Sequence, residues 1–146
     1  MNKRISKGAL LFLVLFFAAI FSFPTLASAG AKASDYLERY SAAINAMGDG
    51  NLEIWFEVYG TGIMDEIGVT AIALQESTNG TNWSTVKVFK HSKYSQMLAS
   101  NKTIHKSYVE YAGETDYYYR AVVTAWASKN GNGDSREITT KKTQAD

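Results

Sequence analysis

Tyr118, Arg120 and Trp126 are the residues best suited to hold a ligand, because they alternate with Tyr119 to Ala125 along one run and so share the outer side of a strand. Flat rings beside a guanidinium suit stacking on a sugar or contact with another protein. Trp55 and Tyr59 fall on the Glu53/Glu57 side of a different strand, on the opposite outer face, so the two sets of rings cannot form one patch. The competing reading of all these rings is cross-strand packing, worth about 0.2–1 kcal/mol per pair. Asn130, Asn132 and Asp134 have the one-three-five oxygen spacing of a calcium loop. The position that would need a bidentate Glu is Lys141, which favours a plain hairpin turn. His91 and His105 lie on separate elements, and no GxSxG or HExxH motif places an acid, a base or a nucleophile for catalysis. No catalytic residue, metal ligand or cofactor site is expected.

The elements that would position these residues are strands. Leu52, Ile54, Phe56 and Val58 alternate with Glu53, Trp55, Glu57 and Tyr59, a period of two that sets one side against a core. Before them, Tyr40, Ala42, Ile44 and Ala46 alternate with Ser41, Ala43 and Asn45, and Gly48-Asp49-Gly50-Asn51 supplies residues that tolerate positive φ in a turn. This reads as a hairpin. A helix over 34–47, with Leu37, Tyr40, Ile44 and Met47 on one face, is the competing reading. Val69 to Gln75 and Trp83 to Lys90 flank Asn79-Gly80, a strong hairpin signal. Residues 91–101 break the pattern, and Tyr94, Met97 and Leu98 at helical spacing indicate a turn of helix capping the core. Thr103 to Ala112, Tyr117 to Ala127 and Ser135 to Lys142 complete seven short strands, the pattern of a β-sandwich. Residues 61–68 are expected to form a loop.

The N-terminus addresses the chain to the outside of the cell. Lys3, Arg4 and Lys7 precede the unbroken apolar run Ala9 to Phe21, and Ala27-Ser28-Ala29 supplies the small residues of a signal-peptidase site. As a helix that run would rise only about 20 Å, too short for the roughly 30 Å hydrocarbon core, so it reads as a cleaved leader rather than an anchor. Cleavage after Ala29 is expected to release a secreted protein with no membrane attachment. Three of the 15 basic residues and none of the 14 acidic ones precede Gly30, so 12 face 14 in the mature chain and its formal charge is −2. No concentrated basic field remains, and neither nucleic acid nor anionic lipid is an expected partner. Cysteine is absent, which removes disulfides, thiolate metal sites and thiol nucleophiles and leaves packing alone to hold the fold. The only proline, Pro24, lies in the leader, and no LPxTG-like sorting signal precedes Gln144-Ala145-Asp146. Asn79, Asn82 and Asn101 each begin an N-x-S/T sequence, which marks glycosylation in a eukaryotic secretory pathway and otherwise reads as turn chemistry.

Two resemblances extend this reading. Gly113-Glu114-Thr115-Asp116-Tyr117-Tyr118-Tyr119-Arg120-Ala121-Val122-Val123, followed by a Gly-rich turn and a Thr-rich last strand, resembles the F and G strands of fibronectin type III domains. Val69 to Val88 resembles their C and C′ strands. The resemblance implies an immunoglobulin-like antiparallel sandwich in which the outer side of strand F belongs to the C-F-G sheet, with Ala71, Ala73 and Gln75 as small neighbours. Tyr59 to Gly68, Tyr94 to Leu98 and Gly133-Asp134-Ser135-Arg136 are similar to an uncharacterised group of small secreted proteins of Gram-positive, clostridia-like bacteria. That likeness implies export and fold but no functional residues.

The expectation is therefore an all-β chain comprising a leader over 1–29, a flexible segment over 30–38, a sandwich over 39–143 and a tail over 144–146. Its expected role is that of a monomeric, non-enzymatic extracellular binding or adhesion module. Tyr118, Arg120 and Trp126 would meet a cell-wall or host polysaccharide or a surface protein. The alternatives are an inhibitor or toxin-like effector acting through loops 61–68 and 91–101, and, behind it, a weak hydrolase.

Overall fold

The computed structural model describes residues 34–146. The expected leader, its cleavage point after Ala29 and residues 30–33 lie outside the described residues. Seven strands form one curled antiparallel sheet: β1 (Leu37–Gly48), β2 (Asn51–Ser77), β3 (Ser84–Lys90), β4 (Leu98–Ala112), β5 (Tyr118–Lys129), β6 (Asn132–Thr139) and β7 (Thr143–Gln144). The all-β class read from the alternation is the class found. Residues 37–48 are strand and not helix, paired with β2 from Leu37↔Gly60 to Gly48↔Asn51 across a turn with positive φ at Gly48, Asp49 and Gly50.

The largest departure from expectation is β2. The sequence pattern reads as two strands separated by a loop over 61–68, whereas β2 runs 27 residues without a break. Residues 51–59 pair with β1 on one side and β4 on the other. Farther along, residues 66–77 pair with β5, while the opposite edge takes β4 up to Gly68 and β3 from Ala71. Inward-facing residues fall on even positions from Leu52 to Met64, on odd positions at Ile67 and Val69, and on even positions again at Ile72 and Leu74. The return to even positions coincides with a register shift between Val69 and Ala71 in the pairing with β5. A further shift in the β4 pairing lies between Tyr59 and Met64. Bulges of this kind bend a strand and raise its twist, which lets one strand serve both halves of a curled sheet.

The concave side holds a single core. Leu52, Ile54, Phe56 and Val58 from one half of β2, Ile72 and Leu74 from the other, and Tyr119, Ala121, Val123 and Ala125 from β5 are all buried together. The 3₁₀ turn Ser95–Met97 closes one end by inserting the fully buried Met97, as the spacing of Tyr94, Met97 and Leu98 indicated. The fold also extends beyond the expected bounds at both ends. Leu37 is buried and the Ser34 hydroxyl donates to Asp134 at 2.7 Å. At the other end β7 pairs with Tyr118 and Tyr119, Ala145 is buried, and the Gly50 N–H donates to the Asp146 carbonyl at 2.7 Å. Residues 144–146 are thus a closing edge of the core rather than a tail.

Candidate functional site

Along β5 the side chains of Tyr119, Ala121, Val123, Ala125 and Ala127 point into the core, while Tyr118, Arg120, Val122, Thr124 and Trp126 stand half-buried on the outer side. The alternation in sequence therefore assigned the candidate residues to the right face. It did not show their partners. The Arg120 Nε donates to Gln75 Oε1 at 2.7 Å, and its guanidinium lies 4.4 Å from the centre of the Trp83 ring. Lys142 places its ammonium 5.1 Å from the Tyr118 ring and donates to the Gly80 carbonyl. Both residues are occupied by neighbours within the chain. Six residues along a strand span about 20 Å, so Trp126 stands apart from Arg120 and the three candidates do not make one patch.

Trp126 is placed differently. Its indole Nε1 donates to Glu66 Oε2 at 3.4 Å, and the benzo edge of the ring rests on Gly133, where a Cβ would come within 2.6 Å of it. Gly133 is thus the small residue that lets the ring lie down against β6. Beside the ring runs an open groove of about 360 Å³, with Leu98 as its other apolar wall and Glu66, Thr70, His91, Thr124 and Ser135 as its polar lining. Sequence reasoning missed Glu66 and His91 as neighbours of Trp126, because they come from distant parts of the chain. It missed Trp83 as the stacking partner of Arg120 for the same reason.

The opposite outer face carries the other rings. Trp55 of β2 lies directly opposite Tyr108 of β4, and Tyr108 is exposed. Glu57 is the centre of a polar network there. It accepts from the Ser41 hydroxyl at 3.0 Å and the Tyr59 hydroxyl at 3.3 Å, and it pairs with Lys106 at 3.1 Å and Arg39 at 3.8 Å. Arg39 also stacks over the Tyr59 ring at 3.9 Å. The bond from Lys106, with help from Ser41 and Tyr59, holds the Glu57 carboxyl below the usual Glu range against the opposing effect of its burial. A carboxyl with a lowered folded-state value contributes stability above the unfolded value and loses it as pH falls through the folded one. Glu57→Gln is therefore expected to lower the urea midpoint at neutral pH, and the gap to the unmodified protein should close below the ordinary Glu range.

Residues 130–134, Asn79 and His105 make hydrogen bonds within the chain. The Asn130 N–H donates to Asp65 at 2.7 Å, and Asp134 accepts from the Ser34 hydroxyl and the Asp35 N–H, which makes residues 130–134 a pinned hairpin. Asn79 Oδ1 accepts from the Thr81 N–H and hydroxyl and from the Asn82 N–H, the turn chemistry expected of it. His105 bonds the Gln96 carbonyl at 2.7 Å beside Phe56, whereas His91 is exposed at the Trp126 groove. Among the described residues no group of three His, Asp or Glu is placed to hold a metal ion.

No family model matches the chain, and no curated protein matches it. Among solved structures it is similar to a family 76 glycoside hydrolase from a bovine Bacteroides thetaiotaomicron strain, at 16% identity and a TM-score of 0.34. The match covers 73% of this chain and 20% of that one, so the chain spans about a fifth of the hydrolase. A likeness this weak carries no argument about function.

Proposed function

We propose that the chain is a non-catalytic extracellular binding module that takes polysaccharide at the Trp126 end of β5. One observation carries this reading: an indole laid against Gly133 beside an open groove lined by one carboxylate, Glu66, and the hydroxyl-bearing Thr70, Thr124 and Ser135. A pyranose ring offers C–H groups to an aromatic face and hydroxyls at its rim, so the ring of Trp126 and the oxygens of Glu66, Thr70, Thr124 and Ser135 meet both demands. The secretory leader read from residues 1–29 supports a role outside the cell. For the fold we infer a fibronectin type III-like sandwich. The order β3-β2-β5-β6 in one half and β1-β2-β4 in the other supports it. So does Tyr119, whose hydroxyl accepts from the Glu114 N–H five residues upstream, as the corner tyrosine of immunoglobulin-like domains does.

The test is co-sedimentation of residues 30–146 with insoluble cell walls and a panel of polysaccharides, beside Trp126→Ala checked for an intact fold by circular dichroism. Saturable pelleting is expected, weakened about tenfold in Trp126→Ala, as the loss of one stacking ring implies. Tyr118→Ala, which removes a ring already covered by Lys142, should change it far less. No pelleting of the unmodified protein across the panel would overturn the polysaccharide reading and turn the search to a surface protein.

A further inference from the structure

We propose that two copies of this chain pair edge to edge through β4, antiparallel, with Tyr108 of one copy opposite Tyr108 of the other. The inference is independent of the Trp126 groove and rests on the character of the β4 edge. A strand at the rim of a sheet presents a row of unpaired N–H and C=O groups, and proteins blunt such rims with proline, bulges, free lysines or a covering element. The β4 edge has few of these defences. Its pairing with β2 is unbroken from Tyr59↔Ile104 to Asn51↔Ala112, so nine residues run without a bulge, and none of them is proline. Among the described residues β4 pairs with no strand but β2. Lys106, the one lysine within this stretch, pairs with Glu57 at 3.1 Å and keeps half of its side chain exposed, so its ammonium can be shared with a carboxylate on an added strand. Ile104 and Tyr108, two of the large hydrophobic side chains the molecule leaves exposed, project from its outer side. The other rims are poorer templates: β3 has seven residues and carries Lys87 and Lys90, and β1 lies against β6 and β7.

The sequence of β4 is complementary to itself, which identifies the occupant as a second copy. With Tyr108 opposite Tyr108, Lys106 of each copy faces Glu110 of the other, and Ile104 faces Ala112. Opposite charges and aromatic pairs directly across a ladder are favourable, whereas like charges are not. Shifting the centre to Lys106 or to Glu110 puts that residue against its own copy. Centring on Ser107 leaves Glu110 facing Ile104 and breaks both charge pairs. Beside the strand, Gln96, Ser107 and Val109 border a shallow groove, which gives the inward side chains of the added strand a place to lie. Because Trp55 lies opposite Tyr108 within each copy, the dimer would also align four rings across one continuous outer face.

The chain contains no cysteine, so a single substitution introduces the only thiol. Opposed residues in an antiparallel ladder have Cα atoms about 4.5–5.5 Å apart, within the span of a disulfide. Residues 30–146 carrying Tyr108→Cys should yield a disulfide-linked dimer under mild oxidation. Ile104→Cys alone should not, since its two copies would sit about 27 Å apart. Ile104→Cys mixed with Ala112→Cys should cross-link. In sedimentation velocity the unmodified protein should shift toward twice the monomer mass as its concentration rises, and Glu110→Lys, with its fold verified, should weaken that shift about tenfold. A protein that sediments as a monomer up to millimolar concentration would overturn the proposal. So would cross-linking of Ile104→Cys as fast as Tyr108→Cys.

Discussion

Tyr119→Ala is expected to lose about 3–5 kcal/mol of unfolding free energy, the range for deleting a fully buried aromatic ring. Tyr119 is the largest side chain in the core with no exposure at all, and its ring packs against Tyr111 with centroids 6.2 Å apart. Its hydroxyl does separate work. It accepts from the Glu114 N–H at 2.8 Å and lies 3.3 Å from Glu76, so one side chain ties the turn before β5 to the far end of β2. Burial raises the hydroxyl above the ordinary tyrosine value and keeps it protonated. Tyr119→Phe keeps the ring and removes the tie, and is expected to cost about 1–2 kcal/mol. For a domain whose whole stability is about 5–15 kcal/mol, the alanine variant should approach unfolding at 37 °C while the phenylalanine variant stays folded. Urea denaturation of the three proteins checks both numbers. Equal losses in the two variants would mean that the hydroxyl, not the ring, holds the corner.

Gly68→Ala should lose about 3 kcal/mol for a different reason. Gly68 sits where β2 is flanked by Leu98 of β4 and Trp126 of β5 at once, with φ at +144°. A Cβ there would collide with the Met97 carbonyl oxygen, a backbone atom that cannot turn aside, and with the His105 ring. The side chain would have to push away the 3₁₀ turn that seats Met97 in the core. Gly131→Ala is the matched control, because its φ is also positive and nothing lies within 4 Å of its missing Cβ. It should cost only the backbone strain of one left-handed residue, about 1 kcal/mol. A Gly68→Ala protein no less stable than Gly131→Ala would contradict the close packing described at this crossing.

Local alternation and turn chemistry made much of the fold legible in the sequence. Leu52 to Val58 and Tyr117 to Ala127 assigned inner and outer faces correctly because one side of each strand is buried and the other is not. The continuity of β2 was hidden. Gly60-Thr61-Gly62 and Gly68 carry the composition of a loop, yet Gly60, Met64, Ile67 and Gly68 are buried because neighbouring strands close over them. A strand that changes its inward parity at bulges loses the period of two by which it would be recognised. The closing edge at Thr143–Gln144 was illegible for another reason: two residues have no period, and only the pairing with Tyr118 and Tyr119 defines them.

The candidate site was legible in part. The shared face of Tyr118, Arg120 and Trp126 follows from the alternation, but their separation in role does not. Arg120 is taken up by Gln75 and Trp83, and Trp126 acquires Glu66 from 60 residues away. Spacing within one strand carries no information about such long-range partners.

In the proposed function, Trp126 is one wall of a glycan groove. Its most direct test is a map of backbone amide shifts as a soluble fragment of the pelleting polysaccharide is titrated into residues 30–146. Shifts confined to Glu66 to Thr70, His91, Leu98, Thr124 to Trp126 and Gly133 to Ser135, which together frame the groove, are the expected result. Shifts confined to the Trp55 and Tyr108 face, with the groove unmoved, would contradict it.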